Sequence, residues 1–176
     1  MATPSAALAR PATSEYAPYY EMYVSLVPEG DMVSTLDQQF AATFKILSGL
    51  DESKGNYRYA EGKWSIKELL GHVIDGERVF SYRAMRFARN DQTPLPGFEQ
   101  DDYVRAADFD ARSLADLIEE FTAVRRASIA LFKSLREEDW TRRGTASNNP
   151  VSVRGLAYIV AGHEAHHIAV LQSKYL

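Results

Sequence analysis

The chain has 176 residues, about the length of one domain, and 45% of them are hydrophobic while 25% are charged. This balance supports a buried core and excludes a wholly disordered chain. The formal net charge is −4 and no basic run is present, which argues against a nucleic-acid surface. The chain has no cysteine, so disulfides, thiolate-bound zinc, iron–sulfur clusters and a cysteine nucleophile are excluded. The chemistry must therefore come from histidines, carboxylates and hydroxyls.

The sequence also gives no sign of a membrane or export segment. It has no apolar stretch near the roughly 20 residues that cross a bilayer. The opening MATPSAALARPATSEY lacks a basic segment followed by a continuous apolar one, so no signal peptide is predicted. We therefore expect a soluble, cytoplasmic protein that binds neither membranes nor nucleic acid.

Residues 1–28 are predicted to be a loosely structured lead-in to a compact domain at residues 29–176. Prolines interrupt this segment, and its tyrosines offer aromatic surface that can pack onto the domain as a draped tail. The prolines are Pro4, Pro11, Pro18 and Pro28, and the tyrosines are Tyr16, Tyr19, Tyr20 and Tyr23.

Four later stretches have apolar residues at three- and four-residue spacing, the pattern of amphipathic helices. The second begins with a capping box, in which Ser65 and Glu68 bind each other's backbone N–H groups, and Ser113 is the expected cap of the third. No alternating pattern typical of a β-strand is present. The predicted fold class is therefore all-α, a four-helix bundle. The stretches cover about residues 31–50, 65–90, 113–136 and 153–173.

The link between the second and third helices is long, at roughly 20 residues, and shows no helical periodicity. It contains Pro94, Pro96 and Gly97. Because most connections between bundle helices are short, a link of this length needs a reason. A crossover between two helices that point the same way would supply it.

Three of the four histidines lie within the run GHEAHH at residues 162–167. On a helical wheel His163 and His167 are about 40° apart in the middle of the apolar stripe, and His166 lies on its rim. Two imidazoles one turn apart on a buried face can bind one metal ion. The alternative is a pair of core histidines without metal, which would need partners for all four ring nitrogens. Spacing alone leaves both interpretations open.

The fourth histidine, His72, lies on the second helix and is indicated only weakly as a third ligand. It lies to the side of the apolar stripe, on the flank that carries Glu68 and Asp75. A helix between two neighbours can bury such a flank, and Asp75 at i+3 could orient the His72 imidazole or bind the ion itself. A solvated acidic face is the alternative.

Three ordered segments, found within roughly residues 31–176, resemble the DinB-like superfamily. This resemblance implies a four-helix bundle in up-down-down-up order, with a long crossover between helices 2 and 3. The segments are WSIKELLGHV at 64–73 followed by Asp75 and Glu77, PLPGF at 94–98 with DDYV at 101–104, and AGHEAHHIA at 161–169.

The resemblance also implies a divalent metal ion, zinc or nickel in many relatives, bound by His72, His163 and His167. His166 matches an extra histidine of the motif that is not usually a ligand. Characterised relatives include S-transferases and isomerases that use small thiols, and many members have no assigned reaction.

Two functions remain open at this point. The first is a metal-dependent enzyme, a thiol S-transferase or a hydrolase, because three neutral histidines leave an open position on the ion for water or a thiol. Its substrate would be a small molecule, any thiol would be a co-substrate, Asp75 is the candidate catalytic base, and Tyr82 or Arg83 could line the entrance. The second is a non-catalytic binding or dimerisation module with a structural metal or none. A closed site with a fourth protein ligand would favour the second.

Overall fold

The structure, a computed structural model, describes residues 9–176, which contain six α-helices, several short 3-10 helices and one β-hairpin. The last helix continues into a π-helical turn at Leu171–Tyr175. None of the described helices is long and apolar enough to span a bilayer. The elements are α1 (Glu21–Val24), α2 (Met32–Ser48), α3 (Ile66–Ala88), α4 (Gln100–Ala107), α5 (Leu114–Lys133), β1 (Arg143–Ala146), β2 (Asn149–Ser152) and α6 (Val153–Val170).

The four long helices, α2, α3, α5 and α6, begin at capping residues. The Ser65 hydroxyl accepts a hydrogen bond from the Glu68 N–H at 3.0 Å, and the Glu68 carboxylate accepts one from the Ser65 N–H at 2.8 Å. The side chains of Asp31, Ser113 and Ser152 cap α2, α5 and α6. These bonds satisfy backbone donors that have no partner within the first turn, which explains where each helix starts.

Contacts between α3 and α5 show that these two helices are parallel. Glu77 contacts Arg125 and Ser81 contacts Ser128, so the partners stay 48 and 47 positions apart along the chain. The segment between these helices must therefore return the chain to the starting end of the bundle. The predicted crossover between helices 2 and 3 is confirmed.

The other pairs complete the topology, since α2 and α3 each pack between α5 and α6. Helix α6 runs antiparallel to α3, because His72 contacts His167 and the later Phe80 contacts the earlier His163. Helix α2 runs antiparallel to α5, as shown by the contacts of Phe40 with Phe121 and of the Leu36 carbonyl with Arg125. The order is up-down-down-up, as predicted.

Two elements differ from the sequence prediction. The crossover contains α4, and the segment after α5 contains the antiparallel hairpin β1–β2, whose turn places Ser147 and Asn148 at φ of 51° and 63°. Four-residue strands are too short to show an alternating pattern, which is why the sequence did not reveal them. The crossover is tied to this hairpin, because the Leu95 N–H donates to the Thr145 carbonyl at 2.9 Å.

The described part of the lead-in is packed tightly onto α6. Arg10 donates to the carbonyls of Val24 and Val27 at 2.7 Å each, and the buried Glu15 carboxylate binds Arg154 through two hydrogen bonds. Residues 9–28 are therefore fixed by specific contacts and are not loosely structured. Residues 1–8 lie outside the described residues, and the domain boundary after residue 28 stays a prediction.

Gly162 allows α1 to approach α6 closely. A Cβ at this position would lie 2.1 Å from the Tyr23 carbonyl oxygen. We expect Gly162→Ala to lower the free energy of unfolding by about 1–3 kcal/mol, because backbone must move to relieve the overlap. Urea unfolding measures this loss, and limited proteolysis should show faster cleavage near Tyr23. Gly49→Ala is the control, since its Cβ would make ordinary contacts of 3.5 Å. Equal stability of the two variants would contradict the prediction.

Candidate metal centre

Helices α3 and α6 bring three histidines to one level of the bundle. His72 lies in the second turn of α3, and His163 and His167 lie one turn apart on the antiparallel α6. Gly76, one turn after His72, makes room for this arrangement, because a Cβ there would lie 2.9 Å from the His163 ring. The local sequence therefore provides both the imidazoles and the space that they occupy.

The three imidazoles converge through their Nε2 atoms. The Nε2 of His72 lies 2.9 Å from that of His163 and 3.2 Å from that of His167. Nitrogen ligands bound at about 2.0–2.1 Å to one ion are separated by about 2.8–3.0 Å at right angles and by about 3.3–3.4 Å in a tetrahedron. The observed spacing falls in this range. Within residues 9–176, these histidines form the one group of three or more side chains with the spacing of a metal site.

Burial keeps the three imidazoles neutral. It lowers the pKa of His72 to about 4, although the charge of Asp101 opposes this shift. Burial, followed by the nearby His72 and His166, lowers the pKa of His167 to about 3. Burial and the other histidines hold the pKa of His163 well below 6.5. Neutral imidazoles present free lone pairs, which is the form that binds a metal ion.

Three aromatic side chains pack against the imidazoles. The Trp64 ring centroid lies 4.7 Å from that of His72, and the rings of Tyr23 and Phe80 meet His163 edge-on at 5.3 and 5.7 Å. Tyr23 belongs to the lead-in, so this segment forms one wall of the histidine cluster. The sequence indicates an aromatic surface on this segment but not its position beside the histidines.

A cavity of about 380 Å³ opens the cluster towards solvent at His167. Its wall combines aromatic, apolar and charged side chains from the loop before α3, from α4 and from the end of α6. The histidine cluster is therefore accessible to a small molecule from this side. Among the residues that line the cavity are Tyr59, Lys63, Trp64, Asp101, His166 and Tyr175.

His166 does not join the converging nitrogens, in agreement with its rim position on the wheel. Its ring packs against those of Tyr23 and His167, at centroid distances of 5.4 and 5.0 Å. The side chain lines the cavity instead.

Asp75 lies outside the histidine cluster. Its carboxylate is 3.5 Å from Arg78 in an ion pair, and burial raises its pKa despite the opposing charge of Arg78. Its catalytic role stays a prediction. Tyr82 and Arg83 do not line the cavity: Tyr82 is exposed beside Arg86, and the buried Arg83 donates to the Pro96 carbonyl.

The sequence did not reveal a buried ionic network that connects the four long helices. Arg125 of α5 binds the Glu77 carboxylate with two nitrogens, at 2.9 and 2.7 Å, and lies 2.6 Å from Glu164 of α6. The same guanidinium donates to the Leu36 carbonyl of α2. Burial raises the pKa of Glu164, which Arg125 opposes. Because Glu164 directly follows His163, this network also fixes the position of α6 next to the histidine cluster.

Acid is expected to destabilise the metal-free protein between about pH 6.5 and pH 3. An imidazole in the unfolded chain has a pKa near 6.5, whereas those of His72 and His167 are about 4 and about 3 in the fold. The unfolded state therefore binds more protons in this window, so stability falls as the pH falls and levels off below the folded pKa values. For His72 alone the shift corresponds to about 3 kcal/mol.

Urea unfolding of the metal-free protein between pH 7.5 and pH 3.5 tests this prediction. A variant with His72, His163 and His167 all replaced by glutamine controls for the carboxylates, and its stability should depend less steeply on pH. If the free energy of unfolding changed equally steeply with pH in the two proteins, the prediction would be wrong.

The fold and the site together define a four-helix bundle protein with a cluster of three histidines beside an open cavity. A profile of the DinB superfamily matches residues 35–171, and the chain belongs to this superfamily. A candidate metal-dependent hydrolase of Oceanobacillus iheyensis is 25% identical over 125 residues, which cover 70% of this chain and 71% of the relative. A protein of Geobacillus thermodenitrificans with the same description is 27% identical over 135 residues, which cover 72% of this chain and 72% of the relative.

Solved structures share the fold. YfiT of Bacillus subtilis, described as a candidate metal-dependent hydrolase with an unusual four-helix bundle topology, is 14% identical with a TM-score of 0.69, covering 80% of this chain and 82% of its own. A mycothiol-dependent maleylpyruvate isomerase is 12% identical with a TM-score of 0.65, covering 87% of this chain and 62% of its own. At these identities the likeness shows the common fold.

Proposed function

We propose that this protein is a metal-dependent hydrolase whose divalent ion, zinc or nickel, is bound by His72, His163 and His167. The observation that carries the proposal is the convergence of three neutral Nε2 atoms at 2.9 and 3.2 Å. An uncharged imidazole nitrogen suits both metals. Three protein ligands leave a coordination position open, as in catalytic zinc sites.

The residues of the chain have distinct parts in such a reaction. The three histidines hold the ion, and Trp64 and Phe80 restrict the rotation of their rings. The cavity of about 380 Å³ is at the small end of ligand sites, so the substrate is a small molecule. The bound ion supplies Lewis acidity and lowers the pKa of a water or thiol that it binds.

Thiol S-transfer is the second candidate. A mycothiol-dependent isomerase has the same fold, and the cavity is large enough for a low-molecular-weight thiol. The chain has no cysteine, so the thiol would be a co-substrate. In either reaction we propose Asp75 as the catalytic base or as a carboxylate that orients His72. We also propose that the protein is a cytoplasmic homodimer.

The metal is expected to stabilise the fold without being required for it. Untagged protein purified without added metal should contain up to one divalent ion per chain. After chelation the helical circular dichroism should persist, because the apolar faces of four long helices form the core, while the melting temperature falls. Metal at a hundredfold excess over Kd adds about 2.7 kcal/mol.

Two outcomes would contradict this expectation. Wild-type protein that stays metal-free after reconstitution with both zinc and nickel would refute the metal site. Complete loss of helicity on chelation would show that the ion is structural, which would favour a non-catalytic bundle.

A further inference from the structure

Asp101 is an unpaired carboxylate at the mouth of the metal cavity. It lies in the first turn of α4 and lines the cavity together with His166 and His167. It has no hydrogen-bond or ion-pair partner anywhere in residues 9–176. The adjacent Asp102 differs, since it forms an ion pair with Arg105 at 2.9 Å. The carboxylate of Asp101 is therefore free to act on a molecule in the cavity.

The fold holds α4 in place beside α3. Val104, one turn after Asp101, is buried in the core of the bundle. The Phe109 ring that follows α4 lies so close to α3 that a Cβ at Gly71 would be 2.5 Å from it. Asp101 thus lies on a fixed element, and its position relative to the histidine cluster is set by packing.

The charge of Asp101 reaches the histidine cluster. It raises the pKa of His72 against the larger lowering effect of burial. This makes Asp101 different from Asp75, whose carboxylate is occupied by Arg78 and lies near Glu120. Of the two acidic residues, Asp101 is the one that lines the cavity beside the histidine cluster.

We propose that Asp101 accepts a hydrogen bond from a water that binds at the open position of the metal, and so favours water over anionic ligands such as azide or a thiolate. This inference rests on the proposed metal-dependent function. An ionised carboxylate can accept hydrogen bonds but cannot donate one. It therefore stabilises a bound water and repels azide or a thiolate, which offer only lone pairs and negative charge. Asp101 acts here as a positioning and specificity residue.

The test uses the cobalt(II)-substituted protein, whose visible absorption reports the ligands of the metal. Azide and 2-mercaptoethanol are titrated separately into wild type, Asp101→Asn and the matched control Asp102→Asn. We expect Asp101→Asn to bind azide and 2-mercaptoethanol, which binds as its thiolate, each about tenfold more tightly than wild type. Asp102→Asn should match wild type for both ligands, because its carboxylate is paired on the surface.

A third variant, Asp101→Glu, keeps the charge and should bind azide within about twofold of wild type. Equal azide and thiol affinities in Asp101→Asn and Asp102→Asn, with cobalt bound to both, would overturn the role of Asp101 and leave the proposed function intact. If wild type binds neither cobalt nor zinc, the proposed function fails and this inference fails with it.

Discussion

Replacement of His163 by alanine is expected to weaken zinc binding by more than about 100-fold. Loss of even a residue that only supports a metal ligand typically costs 10- to 100-fold, and loss of the ligand itself costs more. His72→Ala and His167→Ala should behave alike, because the three Nε2 atoms meet at one point. Competition with a zinc-sensitive dye measures the affinities.

His166→Ala is the matched control, since this histidine belongs to the same run and lines the cavity without joining the three nitrogens. We expect its zinc affinity to stay within about threefold of wild type, as for a site with all its ligands retained. If His166→Ala abolishes binding while His167→Ala does not, the ligand pair is i, i+3 and the assignment is wrong.

Arg125→Ala is expected to lower the free energy of unfolding by about 3–5 kcal/mol. The guanidinium is fully buried and faces Glu77 and Glu164, which are also buried. Its removal leaves two carboxylates without a counter-charge in the core, and such a loss exceeds that of an ordinary surface change. Urea unfolding followed by circular dichroism measures the difference.

Two further variants separate the charge effect from loss of the side chain. Arg126→Ala removes a neighbouring arginine that is exposed, and it should change stability by no more than about 0.5 kcal/mol. Glu164→Gln leaves Arg125 paired one-to-one with Glu77 and should cost less than Arg125→Ala, because no buried carboxylate loses its counter-charge. An effect of Arg125→Ala no larger than that of Arg126→Ala would mean that the network does not stabilise the bundle.

The network also links stability to the site. Arg125 and Glu77 hold α5 against α3, and Glu164 holds α6 in the same cluster. His163 precedes Glu164, so the contacts that stabilise the core also set the level of α6 opposite His72. A core contact of this kind determines where the ligand atoms meet, which is what a metal site with fixed geometry requires.

Much of the fold was predictable because it depends on local patterns. Apolar residues at helical spacing located all four long helices, and the capping box at Ser65 placed the start of α3 correctly. The placement of His163 and His167 on one face also follows from helical geometry alone, since residues four apart are neighbours. The length of the link after α3 indicated a crossover, and a crossover requires α3 and α5 to run parallel.

Tertiary structure decided what depends on neighbouring elements. His72 lies on the flank of α3, and the wheel alone could not distinguish a buried flank from a solvated one. The hairpin β1–β2 has strands of four residues, too short for a period, and it is fixed by its contact with Leu95. Both outcomes depend on which surfaces pack together, and local propensity does not contain that information.

The remaining site residues were set by long-range contacts. Asp101 reaches the cavity because the crossover folds α4 back beside α3, and Tyr23 reaches His163 because Gly162 admits the backbone of α1. The sequence by itself therefore determined the helices and the histidine pair on α6. Only the packed structure decided that the flank with His72 is buried, that an acidic residue lines the cavity, and that Arg125 joins the helices. Each of these features joins elements that are far apart in the chain and meet only when the core forms.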